Sequence, residues 1–140
     1  MAAACSLGAQ AVVTVHALLA VGLVVFLPAV WLAASRRHPL AGWAPGRVGH
    51  LLIMVMVVTE DLLRVPCPLT ALERAFTRCA GGAGYSGDFL AHAAHQLLYF
   101  HAPAWVFSAL HAGFFTLVVV TWWRVPVTQW TWRLHAGRAR

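Results

Sequence analysis

The side chains in this chain that could do chemistry are few: eight histidines, three cysteines and four acids among 140 residues. His16, Glu60 and His111 sit within long apolar runs. Ionisable groups are costly there and usually face a helix-bundle interior rather than lipid. Imidazoles so placed suit a divalent metal or the iron of haem b, with Glu60 as a further ligand or a proton acceptor. The same three residues would equally serve as polar glue between helices. Type and spacing leave both readings open. His92, His95 and Tyr99 form a second set, spaced to lie along one helical stripe. Two histidines in this arrangement bind zinc or copper, but a tetrahedral site needs two more ligands. The plainer reading is an interfacial helix holding its rings at headgroup level. Cys67 and Cys79 flank one short predicted helix. They would close a loop in an oxidising compartment, yet a straight helix between them keeps the sulfurs apart and favours two free thiols. Met54 and Met56, two apart, point to different faces. No nucleotide-binding glycine loop, nucleophile elbow or catalytic carboxylate pair is present in the sequence.

These residues must be positioned by apolar helices. Hydrophobic residues make up 61% of the chain, charged ones 10%, and the mean hydropathy is +0.73. A soluble domain is roughly 45–50% apolar and about 25% charged, so an ordinary cytosolic enzyme and a disordered chain are excluded. The net charge of +6 comes entirely from arginine. Those arginines flank apolar runs, which is the pattern of topology determinants and not of a nucleic-acid binder. The expected fold is all-α, a small transmembrane helical bundle of three spans, at about residues 7–34, 46–64 and 104–123. Outer-face amphipathic or re-entrant helices are expected at about residues 70–80 and 88–101. Thr70-Ala71-Leu72-Glu73 reads as a capping box opening the first of these, and Gly81-Gly82 as its stop. Pro66 and Pro68 end the second span. Residues 1–124 then form the bundle and residues 125–140 a basic cytoplasmic tail. No cleavable signal peptide is expected, because the first ten residues carry no positive charge.

Arginine counting orients the bundle. Three spans place Arg36, Arg37, Arg47, Arg124, Arg133, Arg138 and Arg140 on one side. The other side holds Arg64, Arg74 and Arg78 with all four acids. The positive-inside rule makes the first side cytoplasmic and puts residues 64–103 on the periplasmic side of a bacterial inner membrane. His16, about nine residues from the outer end of the first span, would lie roughly 13 Å deep. Glu60 and His111 fall in the same outer half, and His50 near the cytoplasmic end.

A longer pattern joins these residues: His16, then Glu60, Cys67-Pro68-Leu69-Thr70 with Glu73, Tyr85-Ser86-Gly87, Phe89 and His92, and a terminal span ending in Trp and Arg. It resembles a family of small bacterial inner-membrane proteins known as domain of unknown function 2784. The resemblance runs from about His16 to Arg124 and is most specific in Cys-Pro-Leu-Thr-x-x-Glu followed by Tyr-Ser-Gly. It gives Cys67, Pro68, Thr70, Glu73 and Tyr85 a structural role and implies an architecture without an activity. The chain departs from the family at Phe100-His101-Ala102-Pro103 and in its polar tail.

The function expected is that of a non-enzymatic accessory or assembly subunit of a membrane complex. Its partners would be the lipid bilayer and other membrane subunits, with no nucleic acid. A haem- or metal-binding redox carrier using the outer-leaflet histidines is one alternative, and a lipid- or quinone-acting membrane enzyme is another.

Overall fold

The computed structural model describes residues 1–83, 89 and 103–127. Among the described residues there are four α-helices: α1 (Ala2–Ser35), α2 (Ala44–Leu63), α3 (Pro68–Cys79) and α4 (Ala104–Arg124). A 3-10 turn, Pro39–Gly42, joins α1 to α2. His92, His95, Tyr85 and Tyr99 lie outside the described residues, as do most of the expected 88–101 helix and the tail beyond residue 127.

α1 begins five residues before the expected span and runs through Pro28 unbroken. At 34 residues it is about 50 Å long at 1.5 Å per residue. α1 and α4 are long and apolar enough to cross a membrane, with mean hydropathy of 2.5 and 1.8 over their most apolar stretches. Only 17% of each stretch is buried inside the protein. Leu18, Val21 and Val24 on α1, with Leu110 and Leu117 on α4, are more than half exposed. α2 is as long as a span at 20 residues, but Arg47, Glu60 and Asp61 set it apart from the other two. Among the described residues two membrane-length helices are therefore found where three spans were expected.

The packing fixes the helix directions. Leu27, Met54 and Val118 form one buried layer, with Leu23, Leu51 and Phe114 against it. Val30, Ala33, Ala41 and Val125 form a second, nearer the C-terminal ends of α1 and α4. Both of those helices thus advance toward the same end and are parallel. α2 runs against them: Arg47, in its first turn, reaches Thr121 and Val125, while Asp61 in its last turn accepts from Ser108 near the start of α4 at 3.0 Å.

Three helices stop with the same pair of backbone bonds. His38 and Arg37 N–H groups return to Ala33 and Ala34, Val65 and Arg64 to Glu60 and Asp61, and Gly82 and Gly81 to Thr77 and Arg78. Each stop needs a left-handed residue, at Arg37 (φ 53°), Arg64 (φ 57°) and Gly81 (φ 89°). Glycine adopts that conformation without cost, whereas arginine there accepts backbone strain while placing a cation beside the negative end of the helix.

α3 departs from expectation in three ways. It starts at Pro68, with extended Cys67 as its cap residue and no side-chain capping bond. A proline has its φ preset for a first turn and no N–H to leave orphaned, so the helix opens two residues before the Thr70 box, and Thr70 and Glu73 become interior residues. Secondly, α3 packs along the N-terminal part of α1 and does not lie free on a surface: its Phe76 ring sits where a Cβ on Gly8 would come within 2.8 Å. Thirdly, Cys79 is joined to Cys5 by a disulfide (Cα–Cα 5.7 Å), leaving Cys67 as a free thiol. Cys67 and Cys79 occupy opposite ends of a 12-residue helix, about 18 Å apart along its axis, which forbids their pairing.

Candidate functional site

Two polar clusters are buried in this bundle, one at each end. At the end where α1 and α4 finish, α2 presents Arg47, His50 and Met54 on a single stripe facing the other helices, each no more than 6% exposed. The Arg47 guanidinium donates to three backbone carbonyls: Ala41 in the 3-10 turn at 3.3 Å, Thr121 at 3.0 Å, and Val125. Two of these belong to the last turn of α4 and the residue beyond it, where the dipole favours a cation; the Thr121 carbonyl also accepts from the Val125 N–H at 2.9 Å. Trp122 covers the guanidinium at 4.9 Å from its ring centroid, a cation–π contact that gains strength away from water. Arg47 sits badly for its own helix, at the positive N-terminal end of α2, and well for α4. It is a C-cap supplied by a neighbouring helix. This guanidinium is spent on the fold.

His50, one turn on, bonds through Nε2 to the Leu23 carbonyl of α1 at 2.9 Å. A carbonyl only accepts, so Nε2 carries the proton. Phe26 and Phe114 flank the ring, with centroids 5.0 and 6.1 Å away. Trp31 Nε1 donates to Thr121 Oγ1 at 3.0 Å, and that hydroxyl donates to Leu117 at 2.7 Å. The cavity left between Arg47, His50, Thr121 and Trp122 is about 10 Å³, barely room for one water molecule. These groups therefore tie α1, α2, α4 and the connecting turn together, and leave no space for a substrate among themselves.

The opposite end holds the residues singled out from sequence, but in separate pairings. His16 is 9% exposed and lies under Phe89, with ring centroids 3.9 Å apart and planes at 22°. Buried Glu73 of α3 is its electrostatic neighbour. Glu60 accepts from the Cys67 thiol instead. His111, half-buried on α4, keeps its Nδ1 enclosed without a hydrogen-bond partner among the described residues, as His16 does. Among the described residues no three of His, Cys, Asp and Glu come together as a metal site. The structure thus brings His16 to Glu73, and Glu60 to Cys67, and gives no direct contact joining His16, Glu60 and His111.

Cys67 has a chemical signature of its own. Burial pushes the thiol up from its ordinary range, and the Glu60 carboxylate adds to this; the Leu69 and Thr70 N–H groups oppose it. Only the thiolate is nucleophilic, so Cys67 is expected to alkylate more slowly near pH 8 than an exposed thiol. Glu60→Gln removes the negative charge and should shift the pH–rate profile of maleimide labelling toward lower pH. An unchanged profile would mean that Glu60 does not face the thiol.

Arg47, Thr121, Trp31 and Cys5 were not read as site residues, and His50 was only placed by depth. The i, i+3, i+7 spacing of Arg47, His50 and Met54 was the available signal, because it puts a cation on the same stripe as a core methionine. Cys5 carried none: its partner lies 74 residues away.

A small all-α bundle with two membrane-length helices and polar side chains fastening its ends is the class this architecture defines. The chain belongs to the family described as Protein of Unknown function (DUF2784), whose model matches residues 6–127. No curated protein and no solved structure matches it.

Proposed function

We propose that this is a three-span membrane protein serving as a non-enzymatic accessory subunit, with α2 as the middle span. The supporting observation is that α1 and α4 are parallel. Two parallel helices can both cross a bilayer only if the chain between them crosses back, and α2 is the antiparallel helix packed beside α4. Its charges suit the task. Arg47 is satisfied by carbonyls at one end and Asp61 by Ser108 at the other, which leaves Val48–Thr59 uncharged between them. A hydrocarbon core of about 30 Å takes roughly 20 residues of helix. The N-terminal dozen residues of α1, with α3 alongside, then stand clear of it, and His16 comes near its boundary.

Orientation follows from two independent features. The Cys5–Cys79 disulfide belongs in an oxidising compartment. Arg36, Arg37 and Arg124 cluster at the other end, as the positive-inside rule requires of a cytosolic face. The accessory role is supported by how the polar groups are used. Arg47, His50, Trp31 and Thr121 are consumed in holding helices together. Meanwhile Gly22 and Gly113 lie on exposed faces where an added Cβ would meet nothing within 4 Å among the described residues. Such small residues let a partner helix approach closely. Extraction in a mild detergent is expected to recover a stoichiometric membrane-protein partner. Repeated recovery of a lone chain would contradict the accessory role.

A further inference from the structure

The end of the bundle where α1 and α4 finish carries positive charge that the fold does not use. Arg36 and Arg37 follow directly on α1, Arg124 is the last residue of α4, and all three are exposed. Val125 packs against Ala33 and Ala34 of α1, so the two helix ends lie in one layer. Asp61 stands at the opposite end of α2, beside the start of α4, and Glu60 shares its turn. Glu73 belongs to α3, alongside the N-terminal part of α1. Among the described residues no side-chain hydrogen bond or ion pair engages the Arg36, Arg37 or Arg124 guanidinium. Arg37 holds a left-handed backbone (φ 53°), yet Gly81 makes the same kind of stop on α3 with no side chain. The turn itself therefore does not call for a guanidinium. Cations suit a helix C-terminus, but buried Arg47 already donates into the end of α4.

Two indole rings mark the depth of this layer. Trp31 is 45% exposed while bonding Thr121, and Trp123, beside Arg124, is 86% exposed. Such rings collect at the headgroup level of a bilayer. Arg36 follows Trp31 by five residues, roughly 8 Å of helical rise, which carries its charge outward to the phosphates. Leu32 and Val120, both exposed, stand beside the acyl chains.

We propose that this rim is a binding site for one anionic phospholipid, whose phosphodiester is shared among Arg36, Arg37 and Arg124. Every basic residue of the chain is arginine, and the planar guanidinium fork takes two phosphate oxygens at once. A zwitterionic lipid brings the same phosphate together with a cation that three arginines repel. An anionic lipid brings no such cation, so the rim discriminates by headgroup charge. The site rests on the reading of α1 and α4 as membrane spans.

The experiment is native mass spectrometry of the delipidated full chain in a neutral detergent, titrated with dioleoyl-phosphatidylglycerol and, separately, dioleoyl-phosphatidylcholine. The glycerol lipid is expected to bind as a single saturable adduct, about tenfold or more tighter than the choline lipid. Arg36→Gln/Arg37→Gly/Arg124→Gln should bind the two lipids alike, and glycine at position 37 relieves the backbone there. Arg64→Gln/Arg78→Gln, which removes two exposed arginines from the other end, should keep the preference. Equimolar inorganic phosphate should not displace the adduct, because the acyl chains also hold it. Equal affinity of the wild type for both lipids would overturn the site, whatever the variants do. So would displacement by phosphate, or an equal loss of preference in both variants, since charge anywhere on the chain would then suffice. If the preference is absent while the chain still needs detergent to stay dispersed, the site alone falls. A chain that stays dispersed without detergent removes the spanning reading as well.

Discussion

Arg47→Ala is expected to destabilise the bundle by about 1.5–3 kcal/mol, the range for losing buried hydrogen bonds to a charged group. The substitution strips donors from the Ala41, Thr121 and Val125 carbonyls and the cation from the face of Trp122. The Ala41 and Val125 carbonyls lose this donor away from water, while Thr121 keeps the Val125 N–H at 2.9 Å, so part of the cost is desolvation and not merely a lost bond. Arg47→Lys should recover only part of the loss. An ammonium is a compact charge, whereas the planar guanidinium spreads donors toward carbonyls on two separate segments. Thermal unfolding in a fixed detergent, compared across the wild type and both variants, reads this order directly. Equal stability of Arg47→Ala and the wild type would mean that the guanidinium is solvated and not a cap.

Met54→Ala should cost about 2–3 kcal/mol, the lower part of the range for core truncations. Met54 is 3% exposed and packs with Leu27 and Val118 where α1, α2 and α4 meet. In a membrane protein the surrounding lipid is as apolar as the core, so the transfer contribution shrinks and the lost dispersion contacts and residual cavity remain. Met56, two residues on, is 42% exposed. Met56→Ala is therefore expected to change stability by less than about 0.5 kcal/mol, as surface substitutions do. The pair forms an internal control measured in the same unfolding assay. Similar losses at both positions would place the helix rotation of α2 in error.

How much of this was legible in the sequence depended on whether the governing physics was local. Apolar runs bounded by turn residues marked α1, α2 and α4 as helices, because that pattern is local to the chain. Gly81 marked the end of α3 for the local reason that a left-handed residue stops a helix cheaply. The start of α3 was misplaced where two local signals competed, and Pro68 prevailed over the Thr70 box. Tertiary facts were out of reach. Nothing near Cys5 announces Cys79, and an arginine that caps another helix reads, in one dimension, like an arginine facing headgroups. The histidines illustrate the same limit. Sequence reading puts His16, Glu60 and His111 in the same outer half of the bilayer, but depth does not set azimuth. In the fold His16 turns to Phe89 and Glu73, and Glu60 to Cys67.

The middle span carries the proposed orientation, and it is tested most directly by labelling from one side of the membrane. Single cysteines would be introduced at Arg37 and at Gly82 in a Cys67→Ala background that keeps the native disulfide, and intact cells exposed to a membrane-impermeant maleimide. With α2 crossing, position 82 is labelled from outside and position 37 only after permeabilisation. If both positions label from the same side, α2 does not cross and is not the middle span.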